Sequence, residues 1–134
     1  MEPPTPNQDL WNAVDHALEA WLAPQDGALV ATAAAAAAAG LPAIAVAPAQ
    51  GRLLEVLARA IGARRILEVG TLAGFSAIWL ARALPADGTL VTLELEPARA
   101  ELARENITRA RVAPRVEVIA GPATASLEAL RTAG

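Results

Sequence analysis

The sequence has 134 residues, no cysteine, no lysine and a net charge of −3. This length fits one domain, and the missing cysteines exclude a disulfide framework and thiolate zinc sites. The acidic balance argues against nucleic acid as a partner, and the acidic, proline-rich start is unlike a secretory signal, so we expect a cytoplasmic protein.

Three helices are predicted near the start, after a lead of about seven residues predicted to be disordered. The first covers about 7–22 and carries its apolar residues on one face. The second covers about 26–39 and consists mostly of alanine, the best helix former. An apolar linker, 41–50, has prolines at both ends and precedes a third helix at about 51–61. The predicted buried face of this third helix comprises Leu53, Leu54, Leu57 and Ala58.

The longest uncharged stretch lies between Asp26 and Arg52. A membrane-spanning helix needs about 20 strongly apolar residues without interruption. Because this stretch is mostly alanine and is broken by glycines and prolines, we expect no membrane span.

The remaining sequence alternates between strands and helices. Strands are predicted at 66–69, 89–95 and 115–120, and helices at 75–84 and 97–110, with a last short helix after Pro122. Such alternation predicts a parallel sheet in an α/β, doubly wound Rossmann-like fold. We expect a single domain, with an N-terminal helical cap region at 1–62 and the first half of a nucleotide-binding unit at 63–134.

The first strand and the following turn contain the pattern Glu68-x-Gly70-x-x-x-Gly74. A dinucleotide fingerprint would require glycine where Leu72 and Phe75 stand, and a phosphate-binding loop would require a lysine. A nicotinamide-dependent oxidoreductase is therefore disfavoured, and the pattern favours an S-adenosylmethionine site.

Individual residues around this turn have predicted roles. Gly70 and Gly74 allow the backbone to turn sharply beside a ligand, and the helix N-terminus suits a carboxylate. Ser76 would donate to that carboxylate or serve as an ordinary helix cap. Glu68, in an apolar strand, needs a partner. The candidates are a ligand ammonium, a row of loop N–H groups, and a salt bridge with Arg64 or Arg65. Glu94 ends the second strand, where an acidic side chain accepts bonds from both ribose hydroxyls.

Several segments together resemble the cation-dependent O-methyltransferases, which include the catechol and caffeoyl-coenzyme A enzymes. The segments are Leu-Pro-Ala-Ile-Ala-Val-Ala-Pro-Ala-Gln-Gly (41–51), Arg-Ile-Leu-Glu-Val-Gly-Thr-Leu-Ala-Gly-Phe-Ser (65–76), Gly-Thr-Leu-Val-Thr-Leu-Glu (88–94) and Val-Ile-Ala-Gly-Pro-Ala (118–123). The resemblance implies that Val46 contacts the methionine end of S-adenosylmethionine, together with Glu68, Gly70, Thr71 and Ser76. It also implies that Glu94 holds the ribose and that Ala123 meets the adenine.

The resemblance implies methyl transfer to a hydroxyl of a small, catechol-like or phenolic acceptor, with a divalent cation, Mg²⁺, holding the acceptor oxygens. In this family the metal ligands and a basic lysine follow a fourth strand, and the sequence ends at Gly134 before that segment. We therefore expect no catalytic or metal-binding residue in these 134 residues, and little or no activity from them alone.

Two further expectations follow. A first strand without a fourth strand beside it would form an exposed apolar edge, so we expect a homodimer or pairing through that edge. The alternative function is a non-catalytic module that binds the cofactor or pairs with a longer relative.

Overall fold

The computed structural model of the chain describes residues 7–133. Residues 1–6 of the predicted disordered lead fall outside them. Asn7 caps the first helix, since its side-chain oxygen accepts a hydrogen bond from Leu10 N at 3.3 Å.

The helices and strands follow the predicted order. They are α1 (Gln8–Leu22), α2 (Gly27–Ala38), α3 (Pro48–Ala60), β1 (Arg65–Val69), α4 (Phe75–Ala83), β2 (Thr89–Glu94), α5 (Pro97–Arg109), β3 (Val116–Ala120) and α6 (Ala123–Ala133), with a short 3-10 helix at Ala113–Arg115 before β3. No helix among residues 7–133 is long and apolar enough to cross a lipid bilayer.

The three strands form one parallel sheet in the order β1-β2-β3. In its register Glu68 pairs with Thr92, and Thr92 pairs with Val118. Helices α4 and α5 contact each other and both pack on β2, so they cover the same face of the sheet. The predicted α/β, Rossmann-like architecture is confirmed.

The hydrophobic core lies between this face of the sheet and the helices. Its members include large buried apolar side chains from α2, α4, β2 and α5: Leu29, Phe75, Ile78, Trp79, Leu90 and Ile107. On α5 a stripe that includes Ala100, Ala103 and Ile107 is buried. Arg109 on the same helix donates to the side-chain oxygen of the buried Asn106, at 2.5 Å.

Strand β1 is only partly buried. A continuous apolar run is typical of a parallel strand covered on both faces, but Leu67 is 50% exposed and Val69 is 62% exposed. Within residues 7–133, β1 is an edge strand and only its face with Ile66 and Glu68 turns toward the core. The predicted exposed apolar edge is therefore present.

Helix α3 differs from its prediction in both start and buried face. It begins at Pro48 rather than Gly51 because proline suits the first helical position. Its buried side is Gly51, Glu55 and Ala58, whereas Leu53 and Leu57 are exposed. The Glu55 carboxylate accepts bonds from Arg52 and Arg59, at 2.6 and 2.8 Å, which explains why a charged residue lies on the buried side.

The apolar face of α1 is not buried within the described part of the chain. The face itself is formed as predicted, but Trp21 is 86% exposed and the other members are exposed too. These members are Trp11, Val14, Leu18 and Leu22. His16, on the same helix, is exposed.

Candidate functional site

A cavity of about 530 Å³ opens at the carboxyl ends of β1 and β2. Parallel strands of an open α/β sheet commonly bind ligands at this end. Helix α2 and the linker before α3 form the opposite wall. Six of the residues predicted to bind the cofactor lie in the cavity wall: Val46, Gly70, Thr71, Ser76, Glu94 and Ala123.

The glycine turn between β1 and α4 has the expected backbone. Gly70 and Gly74 adopt φ angles of 93° and 87°, which favour glycine. Leu72 adopts the same left-handed region with a φ of 52°, which is unfavourable for a residue with a side chain. Gly74 lies outside the cavity wall. A Cβ there would meet Ile107 Cγ1 at an ordinary contact distance of 3.4 Å, so the left-handed backbone, rather than lack of space, is what favours glycine.

The Glu94 carboxylate holds the glycine turn in place. It is buried, with 5% of the residue exposed. Its Oε2 accepts hydrogen bonds from Thr71 N at 3.2 Å and Leu72 N at 2.8 Å. Its Oε1 accepts one from Glu96 N at 3.1 Å and lies 3.9 Å from the Arg99 guanidinium. The row of loop N–H groups considered for Glu68 is thus bound to Glu94 instead.

Glu68 lies behind the cavity wall and is held by two hydroxyl groups. Ser76 donates to its Oε1 and Thr92 donates to its Oε2, both at 2.6 Å. Burial raises the pKa of the Glu68 carboxyl, and the two hydrogen bonds offset part of that rise. Arg64, considered as a salt-bridge partner for Glu68, pairs with Asp87 at the other end of the strand.

The sequence left open which group the Ser76 hydroxyl donates its proton to. A hydroxyl has one proton to donate, and here Ser76 gives it to Glu68. Ser76 does not cap α4, whose N-cap residue is Gly74. While Glu68 is ionised, Ser76 therefore offers lone pairs rather than a proton to the cavity.

The sequence did not identify the part of the wall that α2 supplies. Thr32, Ala33 and Ala36 line the cavity together with Ile44 from the linker. Alanines in a uniform run carry no sign of which face meets a ligand. Arg99 was also missed, although its place one turn into α5 after Glu94 puts it near that carboxylate.

The described residues do not fit a divalent metal. Mg²⁺ is bound through carboxylates and other oxygen ligands. Among residues 7–133, no three side chains of His, Cys, Asp or Glu come together as a possible metal site.

Comparison with known proteins gives consistent matches. A family model described as O-methyltransferase matches residues 22–134. A catechol O-methyltransferase from Mycobacterium tuberculosis is 55% identical over 117 residues, which cover 87% of this chain and 53% of the relative. The chain thus spans about half the length of the curated relatives it matches.

Two solved structures share the same architecture. The O-methyltransferase from Bacillus cereus, in complex with SAH, has a TM-score of 0.90 and 46% identity over 92% of this chain and 56% of that one. The O-methyltransferase TomG from Streptomyces achromogenes, in complex with SAM, has a TM-score of 0.90 and 47% identity over 94% of this chain and 56% of that one.

Proposed function

The chain belongs to the O-methyltransferase family, and on that premise we propose that residues 7–133 form the S-adenosylmethionine-binding part of an enzyme that methylates a hydroxyl. The observation that carries the proposal is the position of Glu94. Its buried carboxylate fixes the glycine turn and also lies in the wall of the cavity at the carboxyl ends of the strands. An acidic side chain after the second strand is the usual ribose-binding group of this fold.

The hydrogen bonds of Glu94 limit how it can bind a ribose. A carboxylate has about four acceptor positions. Three of them are used by Thr71 N, Leu72 N and Glu96 N, so one position remains, on Oε1. We propose that one ribose hydroxyl donates to this position, rather than both hydroxyls as the sequence suggested.

The other end of the cavity would hold the amino acid part of the cofactor. Gly70 and Ser76 line this end, and Val46 faces it from the linker. Because Ser76 keeps its proton on Glu68, its lone pairs suit the ammonium group, and Glu68 adds negative charge behind it. Ala123, at the start of α6, would meet the adenine.

When bound, the cofactor would supply a methyl group on a positively charged sulfur, for transfer to the acceptor oxygen with release of the hydroxyl proton and of neutral S-adenosylhomocysteine. We propose a small phenolic or catechol-like acceptor, because a curated relative is a catechol O-methyltransferase. The Mg²⁺ site that the resemblance implies is not formed by residues 7–133. What these residues do is bind the cofactor and hold its ribose and amino acid ends.

Calorimetric titration tests the proposal. We expect saturable binding of S-adenosylhomocysteine at one site per chain and no binding of NAD, which this glycine spacing does not suit. Binding of NAD with no binding of S-adenosylhomocysteine would overturn the proposal in favour of a nicotinamide-dependent enzyme.

We also propose that the chain self-associates, as a homodimer or through the edge of β1. The exposed Leu67 and Val69 on that edge support this, since an unpaired apolar edge promotes strand addition. Light scattering over a range of concentrations should show a mass above that of the monomer, and L67K should reduce it. A monomer at all concentrations would contradict this proposal.

A further inference from the structure

Thr92 lies in the middle of the sheet, behind the cavity rather than in its wall. It is fully buried on β2 and sits opposite Glu68 in the register of the two strands. A buried hydroxyl needs hydrogen-bond partners. Thr92 has two such partners, and both lie on the segment that runs from β1 into the glycine turn.

The directions of these two bonds can be assigned. The Thr92 hydroxyl donates its single proton to Glu68 Oε2 at 2.6 Å. The Thr71 hydroxyl lies 2.6 Å from the Thr92 hydroxyl. With Glu68 ionised, Thr71 must therefore donate and Thr92 must accept. The hydrogen bonds run in one direction, from Thr71 through Thr92 to Glu68.

Thr71 joins these hydrogen-bonded hydroxyls to the carboxylate of Glu94. Its backbone N–H donates to Glu94 Oε2, while its side chain donates to Thr92. The neighbouring Leu72, held at a φ of 52°, donates to the same Oε2. Thr71 is thus held through both its amide and its hydroxyl, and of these two contacts the one made by the hydroxyl reaches the interior of the sheet.

We propose that Thr92 is a positioning residue for cofactor binding, which it controls without touching the ligand. It holds Thr71 so that the N–H groups of Thr71 and Leu72 meet Glu94, and so that the remaining acceptor position on Glu94 points into the cavity. This inference rests on the proposed function, because its consequence is measured as affinity for S-adenosylhomocysteine.

The test is a calorimetric titration of the full 134-residue chain with S-adenosylhomocysteine, using two matched variants. T92V keeps the shape of the side chain but removes both bonds, and it should weaken binding about tenfold. T92S retains the hydroxyl and should stay within about twofold of the wild-type affinity. T89V, at an exposed position on the same strand, should leave the affinity unchanged.

Hydrogen exchange of backbone amides separates positioning from general destabilisation. In T92V the Thr71 and Leu72 amides should exchange faster, while the amides of the paired β2 and β3 strands keep their wild-type protection. If T92V does not fold, T71V removes the bond to Thr92 alone and should also speed exchange at Leu72. Wild-type affinity and exchange in the variant that folds would overturn the inference. Failure of the wild-type chain to bind would overturn the proposed function, and the inference with it.

Discussion

The carboxylate of Glu94 lies against the backbone of Leu72, with 2.8 Å between Glu94 Oε2 and the Leu72 nitrogen. Leu72 has a left-handed backbone, which costs a residue with a side chain about 1–3 kcal/mol. The hydrogen bonds that Glu94 accepts from Leu72 N and Thr71 N offset that cost. The residue proposed to bind the ribose is therefore also the residue that shapes the turn beside it.

Replacing Glu94 with glutamine should disrupt both roles. A glutamine side chain accepts bonds at only one of its two terminal atoms, so it must place its amide nitrogen either against the loop N–H groups or against Glu96 N. We expect E94Q to lower the affinity for S-adenosylhomocysteine at least about tenfold and to lower the melting temperature. E117Q, at an exposed carboxylate on β3, is the control. Equal affinity of E94Q and E117Q would show that Glu94 does not bind the ligand.

The alanine face of α2 should set the width of the cavity. Ala36 lines the cavity, whereas Ala34 on the same helix is exposed and lies outside the wall. A leucine at position 36 would occupy space that the ligand needs. We expect A36L to weaken binding of S-adenosylhomocysteine about tenfold, as measured by calorimetry, and A34L to bind as the wild type does. If both variants bind normally, α2 does not face the ligand.

Much of the fold could be predicted because its signals are local. Pro97 fixes the start of α5, and the alternation of apolar strands with helices gives the parallel sheet. The glycine turn and Glu94 could be placed together because the turn follows the carboxyl end of β1 and Glu94 is the last residue of β2. Their positions in one cavity wall agree with that reasoning.

Other features depend on contacts between distant segments and could not be predicted. The buried side of α3 was predicted from three leucines and Ala58. Ala58 is buried as predicted, but the helix turns Gly51 inward rather than Leu53 and Leu57, because α4 packs closely there. The loop N–H groups donate to Glu94 rather than to Glu68. This choice depends on how β1 and β2 align, which the sequence does not show. The contribution of α2 to the cavity wall has no signal in a run of alanines.

Gly51 and Trp79 form the close contact between α3 and α4. A Cβ added at Gly51 would lie 2.4 Å from Trp79 Cδ1, a separation at which something must shift. We expect G51A to destabilise the chain by about 1–3 kcal/mol, as overpacked substitutions do, in urea unfolding experiments. G27A is the matched control, since a Cβ at Gly27 meets nothing within 4 Å. An unchanged midpoint for G51A would contradict the observed packing.

Glu68 should make stability fall with rising pH. Its pKa in the folded chain is raised above the ordinary value of 4.5, chiefly by burial. At pH values between the ordinary pKa and the raised pKa, the folded chain binds more protons than the unfolded chain. Stability therefore decreases as pH rises through this range. This loss of stability is absent below the ordinary pKa and complete above the raised pKa.

A comparison with E68Q isolates this effect. Other groups shift in the opposite sense; for Asp26, burial raises the pKa, but bonds from Leu29 and Arg82 lower it overall. The difference in unfolding free energy between wild type and E68Q removes such shared contributions. In urea unfolding experiments from pH 4 to 7, we expect E68Q to become more stable relative to the wild type as the pH rises. A difference that does not vary with pH would contradict the raised pKa.

The location of the ligand is the central claim, and amide chemical shifts test it most directly. The ¹⁵N-labelled chain would be titrated with S-adenosylhomocysteine and followed by NMR. Shifts should concentrate at Gly70, Thr71 and Leu72 and near Ala123, and be absent at Arg64 and Gly88 at the other end of the strands. Shifts concentrated near Arg64 and Gly88, with none in the glycine turn, would contradict the proposed site.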